Sequence, residues 1–421
     1  MAIRLLHTSD WHLGHSLDAF DRHEEHQAFL EWLITTAKEA RVHAVLVSGD
    51  VFDTSNPPVR AQSAYYRFLR ELRAALPEVR VVITGGNHDS GVRLDAPRPL
   101  LDELGVHVVG AVPTLAESGH ALDVERLVVP VEGEGGRAWV VAMPYIRLQD
   151  LPSGAAESPE AVIAGIQGLY VEAIGAAMAR RAPGEPIVAM GHAYFENADP
   201  RQHSERAVQL GNQAALPAAV FGPEVRYAAL GHLHLAQAVR GNPHLRYCGS
   251  PIPLAMDERE YPHQVVLVEL SGDEPARVES RRVPRTVQIL RVPAEGTASL
   301  EEALMLLRQL PAADPEEPTH RHPLLEVRLT EAAPGGDHRA RVEQVLAGRA
   351  ARLVRLHAPT PAATPLTRSF GGRDLREISP EEVFRARWKS VHPEAAEEPG
   401  EALMAAFREI AQRAAEEGGA A

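Results

Sequence analysis

Short apolar runs that break directly into clusters of Asp, Asn and His recur along the first 255 or so residues, and no other feature constrains the fold as tightly. Residues 3–8 lead into Asp10-Trp11-His12, and 44–48 into Gly49-Asp50-Val51-Phe52-Asp53. Residues 79–84 lead into Gly86-Asn87-His88-Asp89, 186–190 into Gly191-His192, and 226–230 into Gly231-His232-Leu233-His234. Runs of this length and apolarity are the pattern of strands covered on both faces. Between the first three, residues 22–40 show helical spacing through Phe29, Leu30, Leu33 and Ile34; residues 58–75 show it through Tyr65, Tyr66, Phe68, Leu69 and Leu72. The alternation predicts an α/β fold. It also places every polar cluster at a strand end, where open α/β sheets gather their functional loops. Further strands are predicted at 106–109, 138–143 and 264–270, with a helix at 159–181.

The clusters supply more carboxylate, amide and imidazole groups than one divalent ion can use. That surplus points to two neighbouring ions, and paired ions to phosphate-ester hydrolysis. Asp10 and His12, two apart in extended chain, reach the same side and suit Mn²⁺, Fe²⁺ or Zn²⁺. Taken singly they also read as a turn cap and a surface histidine. Asp50 emerges from a buried strand, where an acid is costly unless paired or metal-bound, and its two oxygens make it the candidate bridge. Asp53 reads equally as a turn cap or as the group that orients a catalytic imidazole. Asn87 offers a neutral oxygen ligand, and His88 beside it faces elsewhere, free for general-acid work near neutral pH. His192 carries the weakest local signal. His232 and His234 form a period-2 pair able to serve adjacent ions.

Past residue 280 the pattern changes. Strands are predicted at 286–292, 323–329 and 352–357, and helices at 299–310 and 338–347, with a Pro- and acid-rich loop at 311–322. Residues 359–378 read as irregular, and two amphipathic helices, near 380–389 and 399–417, close the chain. Their apolar set (Val383, Phe384, Trp388, Leu403, Met404, Phe407, Ile410) serves either packing on their own core or a partner. The expected domains are 1–280, 281–360 as a small α+β module, and 361–421 as linker and terminal helices.

The net charge of −14 makes an unbasic surface, although bound cations reverse the local sign in an Asp/His site. Cys248 is the single cysteine, so an internal disulfide is excluded. The N-terminal residues carry no secretory pattern, and no uninterrupted apolar run approaches the ~18 residues of a membrane helix. A cytoplasmic location, away from membranes, is the expectation.

The motifs D-x-H, G-D-x-x-D, G-N-H-D, G-H and G-H-x-H, in this order, resemble the calcineurin-like metallophosphoesterases. Leu6-His7-Thr8-Ser9-Asp10-Trp11-His12-Leu13-Gly14, Thr84-Gly85-Gly86-Asn87-His88-Asp89-Ser90, Tyr247-Cys248-Gly249-Ser250-Pro251 and Pro380-Glu381-Glu382-Val383-Phe384 are similar to the SbcD branch of bacterial Mre-type nuclease subunits. The resemblance implies two mixed sheets flanked by helices, a capping domain after about 280, and terminal helices that dock on an SbcC-type coiled-coil ATPase. It implies one ion on Asp10, His12, Asp50 and His234 and a second on Asp50, Asn87, His192 and His232, Mn²⁺ first and Mg²⁺ second. His88, oriented by Asp53, would assist the leaving oxygen in a two-metal mechanism. It further implies a homodimer within a heterotetramer, acting on DNA ends and hairpins. The activities implied are ATP-dependent 3′–5′ double-strand exonuclease and single-strand or hairpin endonuclease. The alternative is a stand-alone phosphodiesterase for a small molecule such as a cyclic nucleotide. It shares every ligand but has no use for the 140 or so residues after 280. A non-catalytic scaffold would be marked by a missing ligand, and none is missing.

Overall fold

A computed structural model describes residues 2–115, 121–152, 158–196, 198–199, 215–331, 337–358, 379–391 and 399–418. The chain lays down β1 (Ile3–Thr8), β2 (Ala44–Ser48), β3 (Arg80–Thr84) and β4 (Val106–Val109) in one sheet. It then builds β5 (Val128–Gly133), β6 (Gly136–Ala142), β7 (Ile187–His192), β8 (Val225–Gly231), β9 (Gln237–Ala238) and β10 (Leu245–Tyr247) in a second. The strands β11 (Gln264–Leu270) and β12 (Arg277–Arg282) return to the first. The resulting orders are β12-β11-β1-β2-β3-β4 and β9-β10-β8-β7-β6-β5, each mixed parallel and antiparallel. This is the expected α/β arrangement of two mixed sheets flanked by helices.

Side-chain alternation explains how both faces of the first sheet are buried. Ile3, Leu5, Ala44, Leu46 and Val82 face the second sheet and join Val129, Val131, Val140, Ile187 and Tyr227 in one core. Leu6, Val45, Val47, Val81 and Ile83 face the other way, onto Phe29, Leu33, Phe68 and Leu72 of α1 (His23–Ala40) and α2 (Val59–Ala75). The helix α3 (Pro159–Arg180) packs on β6 and β7. It is long and apolar enough to cross a membrane, but Ile166, Leu169, Tyr170 and Ile174 are buried in the core, as in the central helix of a globular domain.

Register decides where the clusters meet. Thr8 pairs with Val47 across parallel β1 and β2, Ser48 with Thr84 across β2 and β3, and His192 with Gly231 across β7 and β8. The carboxyl ends of β1, β2 and β3 are thus level, as are those of β7 and β8.

The chain divides into two compact units: residues up to Leu290 with Pro315–Leu324, and Arg291–Asp314 with residues from Leu325 onward. A third sheet has the order β13 (Ile289–Val292), β14 (Leu324–Arg328), β15 (Arg352–His357). Two helices, α4 (Leu300–Leu307, opened by a Ser299/Glu302 capping box) and α5 (His338–Leu346), pack on one another. The terminal helices are α6 (Pro380–Val391) and α7 (Glu401–Gly418). Phe384 stacks on Phe407 at 4.3 Å between ring centres, and Arg408 pairs with Glu381, while Ile410 stays 67% exposed. Part of the apolar set is therefore spent between the two helices. The expected irregular stretch 359–378 lies outside the described residues.

Candidate metal centre

The loops after β1 and β2 are laced together: Asp10 N–H donates to the Gly49 carbonyl (3.1 Å) and His12 N–H to that of Asp50 (3.0 Å). To aim their side chains inward, Asp10, His12 and Asp50 adopt φ of 52°, 46° and 49°, and His232 adopts 103°. Left-handed backbone at non-glycine residues costs about 1–3 kcal/mol each and gathers at functional sites. Only seven described non-glycine residues have positive φ, so four of them falling on candidate ligands ties the strain to the site. Glycine is required where the loops touch. A Cβ on Gly86 would lie 2.1 Å from Asp50 Oδ1, and one on Gly231 would lie 1.9 Å from the Ser48 carbonyl.

The two sheets meet through these side chains. Asp10 Oδ1 accepts from the His232 backbone N–H at 2.8 Å. His192 Nδ1 lies 2.9 Å from the Ser48 carbonyl, to which it donates, and this turns Nε2 toward Asp50 Oδ2 (3.3 Å) and Asn87 Oδ1 (2.9 Å). His232 Nδ1 reaches the same Asn87 oxygen at 3.0 Å. On the other side, His12 Nε2 lies 3.6 Å from Asp50 Oδ2, is buried and has no hydrogen-bond partner. Among the described residues, three sets have ligand atoms that all lie within 4.8 Å of one another: Asp10–His12–His234, His12–Asp50–His88 and Asp10–Asp50–His192.

These spacings fit cations. Adjacent ligands held about 2.1 Å from one ion at right angles are roughly 3 Å apart, which matches the contacts of Asn87 Oδ1 with His192 and His232. A buried imidazole nitrogen with no hydrogen-bond partner, close to a carboxylate oxygen, has the chemistry of a metal ligand. The residues present therefore suit divalent ions.

Electrostatics agree. Burial pushes the Asp10 carboxyl up, and the Asp50 charge adds to it. Burial acts on Asp50 likewise, but the neighbouring His192 and His12 outweigh it and hold its carboxyl well below the usual range. Burial lowers His192 too, yet the carboxylates of Asp50 and Asp10 raise it to about 9. Burial and the charge on His192 bring His232 down to about 3, and burial lowers His12, both in the direction of the neutral form that binds a metal.

Asp53 is placed differently from the simplest expectation. Its Oδ1 is engaged by His12 Nδ1 (3.2 Å) and His15 Nδ1 (2.9 Å). It meets His88 through its backbone carbonyl, 2.8 Å from Nδ1. His88 is exposed, whereas Asp10, His12, Asp50, His192 and His232 are buried.

Several supporting residues escape sequence reasoning. Glu258 is fully buried, takes His234 Nδ1 at 2.8 Å and accepts from the Leu254 N–H at 2.7 Å. It lies in Met256–Glu260, a 3-10 segment in which it is one of four consecutive charged residues, Asp257 to Glu260, so nothing local marks it as buried. His15 bridges Asp53 and the Leu254 carbonyl (2.9 Å). Asp89 accepts from the N–H groups of Val51, Phe52 and Gly86 at 3.1, 2.9 and 2.9 Å, joining the loops after β2 and β3.

Comparison with known proteins agrees with this geometry. The calcineurin-like phosphoesterase family matches residues 3–236, and the family described as type 5 capsule protein repressor C-terminal domain matches 284–392. The chain is 38% identical over 395 residues to the SbcD component of the SbcCD nuclease of Rhodobacter capsulatus, covering 91% of this chain and 94% of that protein. It is 32% identical to the SbcD component of the Escherichia coli K12 nuclease, covering 91% and 92%, and 25% identical to the DNA double-strand break repair protein Mre11 of Methanopyrus kandleri, covering 71% and 66%. The chain belongs to the SbcD family of nuclease subunits within the calcineurin-like phosphoesterases, and is a metal-dependent phosphodiester hydrolase.

Proposed function

We propose that this chain is the nuclease subunit of an SbcCD-type DNA repair complex and cleaves DNA with two divalent ions, Mn²⁺ before Mg²⁺. The observation that carries this reading is the meeting of Asp50, Asn87, His192 and His232 across two sheets, beside a second set of Asp10, His12 and His234. Asp10, His12, Asp50 and His234 would hold one ion, and Asp50, Asn87, His192 and His232 the other. Paired ions so held supply a nucleophile at neutral pH and stabilise charge on the attacking and leaving oxygens.

The chain's own groups do the rest. Asp53 and Glu258 fix the rings of His12 and His234 by taking their Nδ1 atoms, which leaves Nε2 of each for a ligand role. The Asp53 carbonyl accepts from His88 Nδ1–H, so the proton for the leaving oxygen would come from Nε2 of the doubly protonated ring, which then returns to the neutral Nδ1–H form. His88 also lies near His12 and Asp50, so its role must be told apart from ligation: His88→Ser is expected to abolish cleavage while metal content stays nearly unchanged, and loss of metal would make it a ligand.

In this reading residues 281–360 form a capping domain that orients DNA, and α6 and α7 dock on the coiled coil of an SbcC-type ATPase. The exposed Ile410 and Leu403 support such a role. The complex is a heterotetramer built on a homodimer of this chain, located in the cytoplasm. It has ATP-dependent 3′–5′ exonuclease activity on duplex ends and endonuclease activity on single strands and hairpins.

The test is incubation of end-labelled hairpin DNA with the purified chain and Mn²⁺, with and without the ATPase and ATP, beside Asp50→Asn. Manganese-dependent cuts lost in the variant are expected. Hydrolysis of bis-(p-nitrophenyl) phosphate with no DNA cleavage, even with the ATPase and ATP present, would favour the small-molecule alternative.

A further inference from the structure

The loop that carries Asn87 and His88 belongs to the first sheet, yet it is braced by the second. After β6 the chain runs through Pro144 to Arg147 along the outside of this loop. Tyr145 N–H donates to the Gly85 carbonyl at 2.8 Å. Arg147 Nη2 donates to the Asp89 carbonyl at 3.0 Å and makes a longer contact, 3.4 Å, with that of Gly86. Asn87 and His88 lie between the two carbonyls. The guanidinium lies over the Tyr145 ring at 5.4 Å, and the backbone of Arg147 is held by its own N–H, which donates to Asp150 Oδ2 at 2.8 Å. The inner side of the same loop is held by the Asp89 carboxylate and by Asp50 Oδ1, which accepts from the His88 N–H at 2.9 Å.

We infer that Arg147 is a positioning residue, which aligns His88 on the leaving oxygen by clamping both ends of the Gly86–Asp89 turn from the opposite sheet. Both contacts are made by the one Nη2, and the planar guanidinium is also stacked over the Tyr145 ring, a placement that an ammonium on a flexible stem reproduces only in part. The inference rests on the reading of His88 as the general acid. It predicts a signature that general loosening of the fold does not produce. Poor leaving groups need the proton and p-nitrophenolate does not, so loss of alignment penalises the first selectively.

The experiment uses the full chain at saturating Mn²⁺, which offsets any weakened metal binding through Asn87. Two substrates are compared that differ in leaving group: the p-nitrophenyl ester of thymidine 5′-phosphate, and thymidylyl-thymidine, which releases an alkoxide. In Arg147→Ala, kcat on the dinucleotide is expected to fall about 10- to 100-fold, the usual cost of losing such a supporting group, with little change on the p-nitrophenyl ester. Arg147→Lys should recover part of the loss, and Arg147→Ala should cost little more in a His88→Asn background. Equal losses on both substrates, or full additivity with His88→Asn, would overturn the inference. If His88→Asn itself does not discriminate between the substrates, the general-acid reading fails instead. The double variant alone then decides on Arg147, with additivity against it and non-additivity in its favour.

Discussion

Every oxygen donor among the candidate ligands comes from the first sheet, and the second contributes imidazoles alone. Asp10, Asp50 and Asn87 sit in loops that needed left-handed backbone at Asp10 and Asp50 and a glycine at 86 to bring them together. His192, by contrast, ends a regular strand and needs only the Ser48 carbonyl to set its ring, while His234 is set by Glu258. The first sheet thus supplies the negative charge that attracts cations and carries the strain of concentrating it. The second supplies imidazole donors that close the site with little distortion, His232 excepted. Changes to the first sheet's residues should act on the charge of the site, and changes to the second's on its geometry.

The largest effect is expected at Asp50, whose Oδ2 faces both His12 and His192. Asp50→Asn keeps the shape but removes charge from both positions, and should lower Mn²⁺-dependent hydrolysis of bis-(p-nitrophenyl) phosphate by at least about 10³-fold. Activity within tenfold of wild type would break the comparison at its centre. Next comes His192→Ala, which should remove one ion and leave the other, read as a halved Mn²⁺ content; loss of both would mean the sheets do not divide the work as described. Glu258→Gln should be milder. It loosens the ring of His234 and should weaken Mn²⁺ binding by about 10- to 100-fold, with maximal rate recovered at high Mn²⁺.

The pH dependence sharpens the same contrast. His192 is raised to about 9 in the metal-free chain. A proton is therefore held on it throughout the neutral range, and an incoming ion must displace it. Mn²⁺ affinity should accordingly rise between pH 7 and 9, by up to about tenfold per unit, and level off above. Calorimetric titration in buffers of different ionisation heat measures the released proton; no release at pH 7 would contradict the ion pair with Asp50. The smallest effect on chemistry is expected from deleting residues 379–421. Hydrolysis of the simple ester should be unchanged while association with the coiled-coil ATPase is lost, and unchanged association would reject the docking role.

The contrast between the sheets also governs what the sequence reveals. Strands β1, β2, β3, β7 and β8 are continuous apolar runs because both their faces are covered, and each is legible with the polar cluster that follows. Strand β12 reads Arg-Val-Glu-Ser-Arg-Arg; it lies at the sheet edge with mostly exposed side chains and gives no such signal. Strand β5 contains Pro130, which is tolerated there because it too is an edge strand. In the site, the first sheet's ligands announce themselves as dense polar motifs. His192 stands alone after its glycine, and only the register of β7 against β8 gives it meaning. Glu258 and Arg147 act through contacts made by folding, between segments with no shared pattern. The role of Asp53 is visible in the sequence only as a choice between cap and orienting group. That its carbonyl, and not its carboxylate, meets His88 depends on loop geometry that no spacing encodes.

The most direct test of a centre built across two sheets is anomalous diffraction from crystals of the full chain soaked in Mn²⁺. The account predicts two peaks about 3.5–4 Å apart, as in paired-metal hydrolases, with Asp50 between them, Asn87, His192 and His232 around one, and Asp10, His12 and His234 around the other. A single peak, or a pair that excludes the second sheet's histidines, would contradict it.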